Sequence, residues 1–497
     1  MARKLNLALG LGIAGGLCLA ALMGCGSDSD DPTLSGGTGG ATGGTGGTGG
    51  ATGGTGGATG GTGGSGPDND NDCANATDIS QSGEATGVID PTNEADHYKL
   101  TLPGGQFVIL AADVVLPSGT SPDDLDYKAV LDTTITVYDE AGTTQLATMD
   151  DSYPRVDMNS QLVRHVPADG TYCIKVQDYG PWANETRDTT GENFEYTFGA
   201  YTHTAGADGN NVDTEDNDDA ATAQAMTFAG VGDPPTNYMA WTFGLANDGN
   251  DVDVYAFTLP ENTVSFSVED LSTPIGPGGA KQSGNGSTLS LGLVNVTDTA
   301  GNIIAQLDAA NGSNGINVPL QAGSNYLLWV NRANTTAGAN NFYNFLQMAY
   351  ATDNQGELNN NNNAADNAEE PASSEVESGV IGYFITGTID NNDTDFWGFP
   401  VAGGDEISLA CGAARSGSGL QGATFEVQSN TLQMLQSETE TETADIWWTD
   451  NPNASSRSKP AVQVTASGTY FLKVTATAQK PNVSSNFYRC GVYVATP

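Results

Sequence analysis

Three landmarks recur in fixed order along this chain and confine its folded part to three copies of one unit. The first is Asn-rich and acidic: Asn69-Asp70-Asn71-Asp72-Cys73-Ala74, then Glu215-Asp216-Asn217-Asp218-Asp219-Ala220, then Glu357-Leu358-Asn359-Asn360. It sets Asn71, Asn217 and Asn359 146 and 142 residues apart. The second is an acidic turn entering an aromatic strand: Asp96-His97-Tyr98, Asp253-Val254-Tyr255 and Asp395-Phe396-Trp397. The third is a Gly-led strand: Gly170-Thr171-Tyr172, Gly323-Ser324-Asn325-Tyr326 and Gly468-Thr469-Tyr470. From the second landmark's aromatic residue to the third's Tyr is 74, 71 and 73 residues. Asn193-Phe194, Asn341-Phe342 and Asn486-Phe487 open a closing aromatic strand in each copy. A unit this long is a complete domain rather than one turn of a solenoid. Thr134-Ile135-Thr136-Val137-Tyr138 and Leu289-Ser290-Leu291-Gly292-Leu293 alternate with period two, one face inward and one toward water. Two antiparallel sheets packed face to face are expected in residues 67–204, 205–351 and 352–497.

The N-terminus resembles a bacterial lipoprotein signal. Arg3 and Lys4 precede an apolar run from Leu5 to Leu22, and Leu22-Met23-Gly24-Cys25 ends it. The resemblance implies cleavage before Cys25, which would become the mature N-terminus, carry the acyl chains and tie residues 26–497 to the outer membrane, facing the cell surface. An ordinary cleaved signal with an incidental Cys is the alternative. Residues 36–64 are almost wholly Gly, Thr and Ala. Such a composition cannot build a core, so residues 26–66 are expected to form a flexible tether with a reach of roughly 35 Å.

Charge narrows the partners. The chain has 16 basic residues; without Arg3 and Lys4, 14 remain against 60 acidic, a net of −46. That argues against nucleic acid and anionic membrane surfaces as partners. It suits divalent cations and basic partners.

The E-x-N-D opening, the D-x-aromatic strand and the G-T-Y-x-x-x-V strand resemble the bacterial pre-peptidase C-terminal domain, a relative of the collagen-binding domains of clostridial collagenases. The resemblance covers most of residues 67–497. It implies three tandem β-sandwiches of jelly-roll type, non-catalytic, of a kind that in some members binds calcium or extracellular polymers.

Of six cysteines, Cys18 lies in the signal and Cys25 is the anchor. Cys73, Cys173, Cys411 and Cys490 remain, two in the first repeat and two in the third. Four cysteines allow three connectivities, and pairing within a repeat leaves none over. No zinc-ligand spacing is present, and an extracytoplasmic setting favours disulfides.

Catalytic constellations do not assemble. His97, His165 and His203 are the only histidines, and neither H-E-x-x-H nor G-x-S-x-G occurs. No segment outside the repeats is left for a catalytic domain. Calcium is the best candidate for site chemistry, because it takes six to eight oxygens from carboxylates, amides and carbonyls. In an extended segment Asp213, Glu215 and Asn217 point the same way, Asp218 joins if the chain bends, and Asp248, Asp251 and Asp253 lie in the turn opposite. The third repeat is poorer, with Glu357, Asn359 and Asn360 against Asp390, Asp393 and Asp395. The first has Asn71 and Asp72 with Asp96. The competing reading is that these residues only cap and solvate turns. Among Trp182, Trp241, Trp329, Trp397, Trp447 and Trp448, Trp329 and Trp397 are expected in cores, and the last two face opposite ways.

The expectation is a lipid-anchored surface protein that binds or adheres to an extracellular polymer or protein. The alternatives are a structural spacer and an accessory partner of a secreted peptidase. If Cys25 carries the anchor, Cys25→Ser moves the protein to the soluble fraction on cell fractionation; continued sedimentation with membranes would contradict it.

Overall fold

The computed structural model describes Asp70 to Thr496, leaving out 90–93, 116–130, 151–158, 184–193, 207–208, 233–234, 236, 246–250, 273–286, 288, 290, 309–314, 333–340, 352–354, 357–361, 378, 390–392, 441–445 and 450–458. The signal, Cys25, the tether, Asn69, Asp248, Glu357, Asn359, Asn360 and Asp390 lie outside the described residues.

Each repeat is a β-sandwich of eight main strands. In module 2 these are Asn237–Leu245, Val252–Thr258, Ser265–Asp270, Leu291–Asp298, Ile303–Asp308, Gly315–Pro319, Asn325–Arg332 and Phe342–Tyr350. The first, eighth, third and sixth form one sheet, and the second, seventh, fourth and fifth the other. Modules 1 and 3 repeat that order. This is the jelly-roll arrangement, in which consecutive main strands cross between sheets, except that the fourth and fifth form a hairpin within one sheet. Each module encloses an apolar core, centred on Ile135, Leu162 and Ile174 in module 1, Phe266, Val294 and Leu328 in module 2, and Trp397, Leu409 and Leu472 in module 3.

Cys73 is bonded to Cys173 and Cys411 to Cys490, each pair within one module. The second pair lies directly opposite on neighbouring strands. By the chain-entropy model, closing loops of 100 and 79 residues removes about 4–5 kcal/mol of unfolded-chain freedom.

Both faces of several strands are covered, which the alternating pattern did not foretell. Thr134 and Thr136 are buried along with Ile135 and Val137. The Leu289-to-Leu293 alternation breaks at a bulge between Leu291 and Val294, which turns Leu293 out to 39% exposure.

Neighbouring modules pack against each other. Phe107, Ile109 and Val163 of module 1 form one cluster with Trp241, Phe243 and Phe342 of module 2. The Phe107 ring lies 5.2 Å from Phe243 and 5.8 Å from Phe342. Module 3 joins module 2 through the backbone: Gln306 N donates to Gly417 O at 2.9 Å and Ser484 N to Ile303 O at 2.8 Å. Phe487, fully buried, sits in the module 2 core cluster.

Phe342 and Phe487 hold one structural position. Each precedes the tyrosine that pairs with a glycine on the first strand, Tyr343 with Gly244 and Tyr488 with Gly387. In module 1 that tyrosine is Tyr196, opposite Gly87, and the residue before it is the exposed Glu195. Phe194 is therefore one place out of register with the other two docking phenylalanines. In module 1 a charged residue stands where the docking ring stands in the other two modules. Phe487→Ala is expected to cost about 3–5 kcal/mol and to separate the melting of modules 2 and 3 in calorimetry. Glu195→Ala should shift neither by more than about 0.5 kcal/mol.

Candidate metal centre

A buried aspartate near the start of the second strand organises each sandwich. Asp96, Asp253 and Asp395 are at most 1% exposed. Each accepts a hydrogen bond from the tyrosine of the last strand, in the opposite sheet. Tyr196 donates to Asp96 Oδ2 at 2.5 Å, Tyr488 to Asp395 Oδ2 at 2.7 Å, and Tyr343 bonds Asp253. A second aromatic group, two residues after the aspartate, completes the set. Tyr98 OH lies 2.6 Å from Tyr196 OH, Tyr255 OH meets Tyr343 OH, and Trp397 Nε1 donates to Tyr488 OH at 2.6 Å. The tyrosine ring needs room over the first strand, and Gly87, Gly244 and Gly387 provide it: a Cβ at any of the three would overlap that ring or its hydroxyl.

The opening segment is fixed by one backbone bond in every module. The amide after the buried aspartate donates to the carbonyl of Asp70, Asn217 or Asn362, at 3.0, 3.0 and 2.9 Å. The structural counterparts of Asn217 are thus Asp70 and Asn362, not Asn71 and Asn359. Runs of adjacent Asn and Asp let the sequence slide by one and three places.

Only module 2 surrounds this frame with acids among the described residues. Carboxylate oxygens of Asp213, Glu215 and Asp253 lie within 4.8 Å of one another, and so do those of Glu215, Asp218 and Asp251. Glu215 belongs to both groups. Asn217 Nδ2 donates to Asp213 Oδ1 at 2.9 Å, which leaves the amide oxygen available. Asn217 Oδ1 and Asp253 Oδ1 are buried without a hydrogen-bond partner, on side chains 1% exposed. Of the expected ligands, the structure gathers Asp213, Glu215, Asn217, Asp218, Asp251 and Asp253 in one place. Asp213 is set by its amide, which donates to Phe243 O at 2.8 Å at the end of the short strand Asn210–Val212.

Module 3 has the frame with a poorer lining. Asn362 is 1% exposed and both its amide atoms lack partners. Where module 2 has Asp213 and Glu215, four and two residues before the shared position, the module 3 sequence has Leu358 and Asn360. Module 1 has Gly66 and Asp68 at those offsets, and Asp72 is spent capping the Ala74 and Asn75 amides at 3.0 and 2.9 Å.

In module 2 the acids crowd one another. Burial, and then the Asp213 charge, push the Asp253 carboxyl up to about 8. Burial, and then Glu215, raise Asp213 to about 6. Without a cation Asp213 and the buried Asp253 ionise against one another and against the exposed Glu215 and Asp218 beside them.

The other singled-out residues have structural placements. His97 Nδ1 contacts Asp70 O and Ala95 O at 3.0 and 3.1 Å. His203 packs 4.1 Å from the Phe243 ring, and burial lowers it to about 4. Trp397 and Trp448 are core, with Trp447 half-buried on the opposite face. Trp329 is not core: it lies half-buried on the outer side and donates to Thr297 Oγ1 at 3.1 Å. Its neighbours Leu328 and Val330 take the inward positions.

Neither a protein-family model nor a curated protein matches the chain. Among solved structures it is similar to the tandem CBM51 modules of a family 98 glycoside hydrolase from Streptococcus pneumoniae. Identity is 9% over 52% of this chain and 84% of that one, with a TM-score of 0.16. It is also similar to tripeptidyl peptidase 2, at 6% identity over 84% of this chain and 32% of that one, with a TM-score of 0.18. A third is the CUB1-EGF-CUB2 region of rat MASP-1, at 10% identity over 54% and 99%, with a TM-score of 0.15. TM-scores this low carry nothing about what the chain binds.

The raised carboxyls give a signed pH dependence. Folded Asp213 and Asp253 hold protons that the unfolded chain releases near pH 4, so the folded state binds more protons and stability falls as pH rises. In chelator, urea resistance should decline from about pH 4 through the values of about 6 and about 8. Asp253→Asn should flatten the upper part of that decline in urea titrations at stepped pH.

Proposed function

We propose that this chain is a non-catalytic extracytoplasmic binding protein, similar in kind to tandem pre-peptidase C-terminal domains, whose second module is set by calcium. The observation that carries the reading is the pair of buried, unpartnered oxygens on Asn217 and Asp253, set among Asp213, Glu215, Asp218 and Asp251. A hard divalent cation is the ligand such an all-oxygen set suits, and calcium tolerates the irregular geometry that magnesium does not. Asp213, Glu215, Asn217 and Asp253 would hold it, with Asp218 and Asp251 available beside the shared Glu215. The bound ion would supply charge compensation and fix the opening segment to the second strand. Modules 1 and 3 keep the frame and present fewer acids, so calcium is assigned to module 2.

The three modules then act as one preset body, carried on the 26–66 tether and held to the outer membrane by Cys25. An extracellular polymer or protein is the partner class; basic groups on that partner would complement the net charge of −46 left by loss of Arg3 and Lys4 from the −44 of the whole chain. A structural spacer is the second reading, favoured by the inter-module packing at Phe342 and Phe487.

A ligand that binds the folded state alone stabilises it by RT ln(1 + [L]/Kd), about 2.7 kcal/mol at a hundredfold excess. Residues 26–497 should melt higher in millimolar calcium than in chelator. Glu215→Gln with Asp218→Asn should abolish the difference while leaving the chelated protein nearly unchanged. Equal stabilisation by magnesium at the same ionic strength, or a response retained in the double variant, would reduce the cluster to a solvated turn.

A further inference from the structure

Two of the chain's three histidines flank the ring that docks module 1 on module 2. Phe107 lies on the middle one of three neighbouring strands, directly opposite His165 on one side and His203 on the other. His203 is buried, 4.1 Å from the Phe243 ring and 5.8 Å from that of Trp241, both in module 2. Its Nε2 donates to Asn211 O at 3.4 Å, across the module boundary. It also ends the strand Glu195–His203, and Asn210 opens the next, so the ring sits at the link between the modules. His165 is half-buried, 5.0 Å from the Phe107 ring, and its Nδ1 is buried with no hydrogen-bond partner. The matching positions are Pro319 and Tyr350 in module 2, and Gln463 and Ala495 in module 3. The imidazole pair therefore belongs to the module 1 docking face alone. Burial lowers His203 to about 4, outweighing its backbone bonds to Asn211 and Trp241. Burial, and then the Arg164 charge, lower His165. Among the described residues no carboxylate offsets either ring; Asp213, two places beyond Asn211, is engaged with Asn217 and Tyr255.

We propose that acid opens modules 1 and 2 from each other, with His203 and His165 as the groups whose protonation releases the contact. A charged imidazole among these rings is desolvated without a counter-ion, which opposes docking. Opening returns His203 to water, where it titrates near the ordinary value of about 6.5. The open form then binds more protons than the docked one. Docking is at full strength above that value, weakens as pH falls, and stops weakening where docked His203 also charges, at about 4. At about pH 5, His203 alone shifts the equilibrium toward the open form by roughly thirtyfold. The direction opposes that of the rest of the molecule. Acid neutralises carboxylates, lowers the self-repulsion of a chain of net charge −44 and by itself draws the modules together.

Small-angle X-ray scattering of residues 26–497 between about pH 7.5 and about pH 5 tests this. The expected result is a radius of gyration that rises as pH falls, with far-ultraviolet circular dichroism unchanged, which separates opening from unfolding. His165→Gln should be combined with His203→Gln, which keeps a donor for the Asn211 carbonyl, or with His203→Phe, which keeps a ring. Neither combination can charge at these positions, so both should stay compact throughout. A parent protein that does not expand, an expansion accompanied by loss of the strand signal, variants that expand as the parent does, or variants already open at about pH 7.5 would overturn the proposal.

Discussion

The hydrogen bond from a last-strand tyrosine to a second-strand aspartate ties the two sheets of every module together. It joins two sheets whose facing side chains are mostly apolar, and it buries a carboxylate to do so. The cost of desolvating that carboxylate is offset differently in each copy. Module 1 gives Asp96 the paired hydroxyls of Tyr196 and Tyr98, and module 3 backs Tyr488 with the Trp397 indole. Module 2 keeps the tyrosine pair and adds acids, which makes the local charge worse. Asp253, held up to about 8, is the residue that shows this strain, and a cation is the simplest group that would relieve it.

The same frame explains why glycine stands at 87, 244 and 387. Period-two patterning would put an ordinary side chain there, and the tyrosine ring takes the space instead. Any larger residue would push the hydroxyl away from the aspartate and loosen the opening segment, which is bonded to the next residue of the same strand. Site geometry and sandwich packing are therefore one constraint, met three times.

Much of this was legible in the sequence. The repeated landmarks gave three sandwiches and the paired cysteines gave both disulfides; Asp213, Glu215 and Asn217 do lie together, though through a bend at 215–216 rather than the extended alternation the sequence suggested. Register was not legible where residues repeat: five consecutive Asn from Asn359 to Asn363 offer several equal alignments, and a single backbone bond to Asn362 chooses among them. Phe194 resembled Phe342 and Phe487 in the string, while strand pairing makes Glu195 their counterpart. The module contacts left a signal that alternation hides. Phe107 to Ala112 is an unbroken apolar run, which marks a strand covered on both faces rather than one.

The central claim is that cation binding is confined to the module 2 cluster. Equilibrium dialysis of radioactive calcium against residues 26–497 counts bound ions directly. The account predicts saturable binding in the intact protein that Glu215→Gln removes and Asp395→Asn, in module 3, leaves in place. Calcium uptake that Glu215→Gln does not diminish, or no saturable uptake at all, would contradict it.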